Sequence, residues 1–114
     1  MKNFRISVND IYDWVGATGS GNINLELYEI GSTYSITETS NFLTFICNDS
    51  LQLTLPAITS TTRIVAVNNN YGATVSVLPT GLDTIREDTI LEIIYKNSTA
   101  MLQSSYTTKN WTII

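Results

Sequence analysis

The side chains that could do chemistry are few. The chain has ten Asp and Glu, six Lys and Arg, and no histidine. Asp10 and Asp13 stand close together, as do Glu26 and Glu29, and Asp83, Glu87 and Asp88 form the densest carboxylate cluster. A carboxylate pair can hydrolyse a glycosidic bond, one group as acid and the other as base or nucleophile. Converging oxygens in Asp83–Asp88, "DTIRED", could hold Ca²⁺. These acids lie in polar, turn-like stretches, so the plainer reading is solvated turn carboxylates. Without histidine, Ser-His-Asp and Cys-His nucleophiles are excluded. Zinc sites of the His/Cys kind are excluded as well. The lone cysteine, Cys47, closes the apolar run "FLTFIC" and reads as a small buried hydrophobe. Gly16–Gly21, "GATGSG", lacks the lysine of a phosphate-binding loop. The expectation is a non-enzymatic chain with no catalytic residue, cofactor or metal.

Aromatic rings offer a different chemistry. Tyr12, Trp14, Tyr28, Tyr34, Tyr71, Tyr95, Tyr106 and Trp111 could stack on sugars, or could be ordinary core and interface material. Tyr71 sits in "NNNYG", a turn-forming stretch, and is the candidate glycan contact.

The totals fit a mechanical role. One hundred and fourteen residues make one domain with at most a short arm. Apolar residues make up 43%, enough for a single core, while charged residues reach only 14%, well below the usual ~25%. Serine, threonine and asparagine take the place of charge, and threonine also suits strands. The formal charge is −4, and the basic residues are scattered from Lys2 to Lys109. Phosphate backbones and anionic membranes need clustered basic residues, so neither is expected as a partner. "MKNFRISVNDIYDWV" has no continuous apolar core of a secretory signal, and no run is apolar enough to span a bilayer as a helix. Synthesis and retention in a cytoplasm are therefore expected. The N-x-S/T triplets at Asn48, Asn97 and Asn110 carry no weight without such a signal.

The elements that must position these side chains are strands. Residues 1–22 stand apart. "FRISV" reads as a short strand, and "NDIYDWV" as a helical turn capped by Asn9. Three glycines within 16–22 then make a flexible joint. Two readings remain open. The segment is the first strand and turn of the domain, or it is a docking arm whose Phe4, Ile6, Ile11, Tyr12 and Trp14 are buried on a partner. Residues 23–114 read as strands and turns recurring every eight to twelve residues, the spacing of an all-β sandwich or barrel. Leu51, Leu53 and Leu55 should face inward, with Gln52 and Thr54 outward, and Pro56 should end that strand. Ile23, Leu25 and Leu27 should share one face, as should Val75 and Val77. "NNNYG" should close a tight hairpin. The expected fold is a small antiparallel β-sandwich, jelly-roll-like, with a short N-terminal arm. Leu78, Ile94, Met101 and Ile114 are surplus to one core and mark a candidate oligomer interface.

The order of short motifs over residues 34–114 adds a resemblance. Leu53-Thr54-Leu55-Pro56, Arg63–Val67, Asn68–Gly72, Thr74–Val77, Gly81–Ile85, Thr89–Lys96 and Asn110–Ile114 together resemble a module of tailed-bacteriophage virion proteins. That module occurs in head fibres, capsid auxiliary proteins and tail-fibre segments. The resemblance implies a small, often trimeric β-sandwich that decorates a particle, with Trp111 plugging one end. A single domain with an arm fits a capsid-decorating auxiliary protein or short head fibre, made in the host bacterial cytoplasm and carried on the virion. Its partners would be itself, as a homotrimer, and the major capsid protein or another virion protein. The alternative is a tail-fibre or carbohydrate-binding module for host glycans. One departure stands out: Arg86-Glu87-Asp88 occupies the place where such modules often have a glycine-rich turn.

Overall fold

The computed structural model describes residues 25–72 and 74–114. Among them there is no helix; ten strands form two sheets. The strands are β1 (Leu25–Ile30), β2 (Tyr34–Ser35), β3 (Phe42–Cys47), β4 (Leu51–Thr54), β5 (Ile64–Asn69), β6 (Val75–Leu78), β7 (Thr84–Ile85), β8 (Leu91–Ile93), β9 (Ser98–Ser105) and β10 (Asn110–Ile113). The six-stranded sheet runs β1-β3-β5-β9-β10-β7, and the four-stranded sheet runs β2-β4-β6-β8.

All-β, two-sheet architecture matches the expectation from turn spacing; the strand directions do not. The chain alternates between sheets, so β1, β3 and β5 stack in parallel, and so do β2, β4 and β6. Leu25 pairs with Phe42 and Phe42 with Ile64, while Tyr34 pairs with Leu53 and Leu51 with Val75. Each turn of the chain adds one rung to each sheet. This is a solenoid-like coil, and not the antiparallel jelly-roll sandwich expected from sequence. Period-two alternation is the same for either direction, so it could not separate them. Nor does "NNNYG" close a hairpin, because β5 and β6 belong to different sheets.

The last strands reverse the direction. β8 pairs antiparallel with β6, and β9 with β5, capping both parallel stacks. β10 returns antiparallel on β9, and β7 adds two parallel residues at the edge. Asn97 (φ 66°) and Lys109 (φ 54°) take left-handed backbone in the turns either side of β9. Arg86 (φ 50°) and Glu87 (φ 66°) do so together. Glycine would take this conformation at no steric cost.

The core fills the space between sheets. Leu43, Phe45, Cys47, Val65 and Val67 from the larger sheet meet Leu51, Leu53, Val75, Val77, Leu91 and Ile93 from the smaller one. Leu51, Leu53 and Leu55 are buried with Gln52 exposed, as alternation predicts. In β1, positions 25 and 27 share the face turned away from the core, and Ile23 lies outside the described residues. Tyr28 and Ile30, not Leu27, pack against the core, and Tyr28 stacks on Phe45 with ring centroids 5.4 Å apart.

Four strands cannot cover six. β8 lies across from β9, which leaves β10 and β7 overhanging. Trp111 and Ile85, paired across those two strands, fill the overhang with Leu55 and Ile58, and both are fully buried.

Candidate functional site

Glu29, Asn48 and Asn70 form a polar ladder along one end of the coil. Asn48 N donates to Ile30 O (2.9 Å) and Asn70 N to Cys47 O (2.9 Å), so each rung hangs from the one before. The side chains repeat the pattern: Asn70 Nδ2 donates to Asn48 Oδ1 (2.7 Å) and Asn48 Nδ2 to Glu29 Oε1 (3.0 Å). An amide carries both donor and acceptor, so it can bond in series along a stack. Beside the ladder, fully buried Asn69 ties the two sheets together. Its Nδ2 donates to Ile93 O (2.7 Å), and its Oδ1 accepts from Gly72 N (2.9 Å). Gly72 has φ +98°, and a Cβ there would stand 3.2 Å from Lys96 Cβ, so glycine lets the two end loops pack closely. Sequence reasoning took these asparagines only as turn formers. The available signal was their position: two of the apolar strand runs, β3 and β5, lead directly into Asn.

The opposite end is held by other bonds. Asp83 Oδ2 accepts from Ile58 N (2.9 Å), and Thr80 Oγ1 donates to Leu55 O (2.6 Å), clasping the 55–58 connection. Asn110 Oδ1 accepts from both Thr84 Oγ1 (2.8 Å) and Glu87 N (2.9 Å), which steadies the left-handed Arg86-Glu87 pair. Arg63 donates to the carbonyls of Glu38 and Ser40. Burial lowers its pKa, and Glu38 partly restores it. Burial raises the Glu38 carboxyl, but the Tyr34 hydroxyl and backbone N–H donors outweigh this and hold it below its ordinary value. These polar groups are occupied in holding backbone.

Asp10 and Asp13 lie outside the described residues, and among those described the candidate carboxylates of the 83–88 turn gain no reactive arrangement. Asp83 is the clasp just described, and Glu87 and Asp88 are exposed. Among the described residues no group of three or more His, Cys, Asp or Glu could hold a metal ion. Cys47 is fully buried, and burial pushes its thiol from 9.0 up to about 12. Ellman's reagent should therefore leave the native protein untouched at mildly alkaline pH and titrate one thiol once it is unfolded. Rapid native labelling would mean that the core opens at Cys47.

The remaining predicted site residues scatter. Leu78 is half-buried on the outer face of the smaller sheet, and Met101 on the outer face of the larger. Ile114 is 48% exposed and bonds through its N to Met101 O, while Ile94 is 52% exposed in the β8–β9 loop. Met101 and Ile114 are thus adjacent, and Leu78 lies on the other side of the body. Tyr71 is 59% exposed in the β5–β6 loop, with Tyr95, 72% exposed, in the neighbouring β8–β9 loop. At the far end of β9, a polar groove of about 580 Å³ is lined by Ser60, Thr62, Gln103 and Tyr106 among others. Lys109 Nζ sits 3.2 Å above the Tyr106 ring and takes one of its faces. Phe4, Ile6, Ile11, Tyr12 and Trp14 lie outside the described residues. No helix among the described residues is long and apolar enough to cross a membrane. No protein-family model matches the chain, and no curated protein matches it.

Proposed function

We propose that the chain is a non-enzymatic structural protein of a bacteriophage virion, a capsid-decorating auxiliary or head-fibre component. One observation carries the reading. The polar side chains that a catalyst would need free, Asp83, Arg63, Glu38, Asn48, Asn69 and Asn70, are engaged in holding turns and rungs. Such a body is built to last and to present surfaces. The motif order over residues 34–114 supports a virion module in particular. Residues 1–22 would tether the body to the major capsid protein or another virion protein, and exposed apolar positions such as Ile94 and Ile114 would serve contacts between copies. Apolar burial is worth about 25 cal/mol per Å², and symmetric copies multiply it.

The test is where the chain goes. In particles purified from the source culture, peptide mass spectrometry should find it in many copies. Light scattering of the pure full-length chain should give three times 12.6 kDa. A chain absent from particles and monomeric when concentrated would sink the proposal.

A second reading is favoured by Tyr71 and Tyr95, two exposed rings on loops packed against each other at one end of the coil. Paired exposed rings suit sugar stacking. The tail-fibre or glycan-binding alternative then requires Tyr71→Ala to abolish binding on a glycan array.

A further inference from the structure

Neutral hydroxyls and amides gather on the outer face of the larger sheet, where β9 ends. Leu102, Ser104 and Trp111 are buried on the inner face, so Gln103, Ser105 and Thr112 face outward. Gln103 is paired with Thr112 across β10. Ser60 and Thr62, from the connection into β5, and Tyr106 and Thr107, from the β9–β10 turn, complete a groove of about 580 Å³. Small-molecule sites commonly enclose roughly 300–1,000 Å³, but most are lined by apolar groups, and this one is polar. None of its lining residues carries a charge. Ser104 Oγ accepts from Arg63 N (2.9 Å). Among the described residues, the side chains of Ser60, Thr62, Gln103, Ser105, Thr107 and Thr112 make no hydrogen bond to the protein. Asn69, Asp83 and Arg63 are taken up by backbone, whereas these groups face a groove with their bonding capacity unused.

We infer that this groove binds a neutral carbohydrate, a short oligosaccharide. Hydroxyls and amides both donate and accept, and so do the hydroxyls of a sugar. An ionic ligand would find no opposite charge in the lining, and an apolar one would strip water from polar groups and give nothing back. Tyr106 supplies the ring that sugar recognition favours. It is 54% exposed, and Lys109 Nζ, 3.2 Å from the ring centroid, holds one face from outside the groove lining. The other face can meet the C–H face of a sugar ring. The walls are fixed before a ligand arrives. Ser104 N donates to Arg63 O (2.9 Å) and Arg63 N to Ser104 Oγ, which ties the residue after Thr62 to β9. The Arg63 guanidinium also donates to the carbonyls of Glu38 and Ser40. Gln103 and Thr112 stand on paired strands. Preformed walls lower the ordering cost of binding. β9 runs antiparallel to β5, so Tyr106 lies at the opposite end of the body from Tyr71. The groove shares a ligand class with the Tyr71–Tyr95 reading but neither its residues nor its place, and it does not rest on the virion reading.

An array of neutral and acidic glycans, probed with the full-length chain, tests this. Neutral glycans should bind, and equally at low and high salt, because no charge pair is there to be screened. In titrations with the strongest neutral glycan, Gln103→Ala and Tyr106→Ala should each weaken binding roughly tenfold. Gln52→Ala, exposed on the outer face of the smaller sheet, should leave it unchanged. Circular dichroism checks that each variant is folded. Should Gln103→Ala fail to fold, Thr62→Ala, in an exposed connection, takes its place. A chain that binds no neutral glycan overturns the inference. So does binding confined to acidic glycans and lost at high salt. Binding that survives both groove variants and falls with Tyr71→Ala belongs to the Tyr71–Tyr95 pair and overturns it as well. Particle loading is a separate readout, so failure of the virion reading leaves this result intact.

Discussion

Replacing Trp111 with alanine should cost about 3–5 kcal/mol, the usual range for emptying a buried tryptophan site. The ring fills the overhang where β10 and β7 have no strand opposite, and it is wholly buried. Collapse onto the hole is limited, because Ile85 and Leu102 hang from the paired strands β7 and β9. A domain of this size is typically stable by only about 5–15 kcal/mol, so the variant should be marginal or unfolded. Urea titration followed by circular dichroism reads the effect. Phenylalanine should behave differently. Trp111 Nε1 is buried with no hydrogen-bond partner among the described residues, and an unsatisfied donor costs about 1–3 kcal/mol. Trp111→Phe loses ring volume but also removes that donor, so its cost should stay below about 1.5 kcal/mol. Equal losses in the two variants would mean that the ring's bulk is not what holds this end.

Much of the architecture is legible where one face alone decides a residue. Leu51, Leu53, Leu55, Val75 and Val77 are inward as alternation requires, and Pro56 follows the end of β4. Strand direction was the harder inference, yet a cue was present. "FLTFIC" and "IVAV" are continuous apolar runs, and strands buried on both faces in parallel sheets read in that way. In β1 alternation alone leaves open which face is inward, and the core face is the one that carries Tyr28 and Ile30. The turn asparagines hid a second role. A residue that tolerates left-handed backbone and a residue that bonds in series along a stack have the same one-letter code. Only the register of β1, β3 and β5 shows that Asn48 and Asn70 fall at equivalent rungs. For the candidate carboxylates, sequence showed proximity along the chain, but the bond from Ile58 N to Asp83 joins residues 25 apart. No local pattern encodes that clasp.

The asparagines also carry the sharpest contrast in expected stability. Asn69→Leu should lose roughly 2–4 kcal/mol, although leucine is apolar, similar in size and placed in an apolar interior. The change leaves Ile93 O without its donor in a buried setting, which costs about 1–3 kcal/mol, and it also takes the acceptor from the part-buried bond to Gly72 N. It also unties β5 from β8, a point where a side chain joins the two sheets. Asn68→Leu, one residue earlier, should change stability by less than about 0.5 kcal/mol. That side chain is half-buried on the other face and bonds Thr99 Oγ1, in an exposed setting where water can replace it. Denaturation midpoints of the two variants, measured side by side, decide the matter. If Asn69→Leu were as stable as Asn68→Leu, the buried amide would be a tolerated polar guest and not a fastener between the sheets.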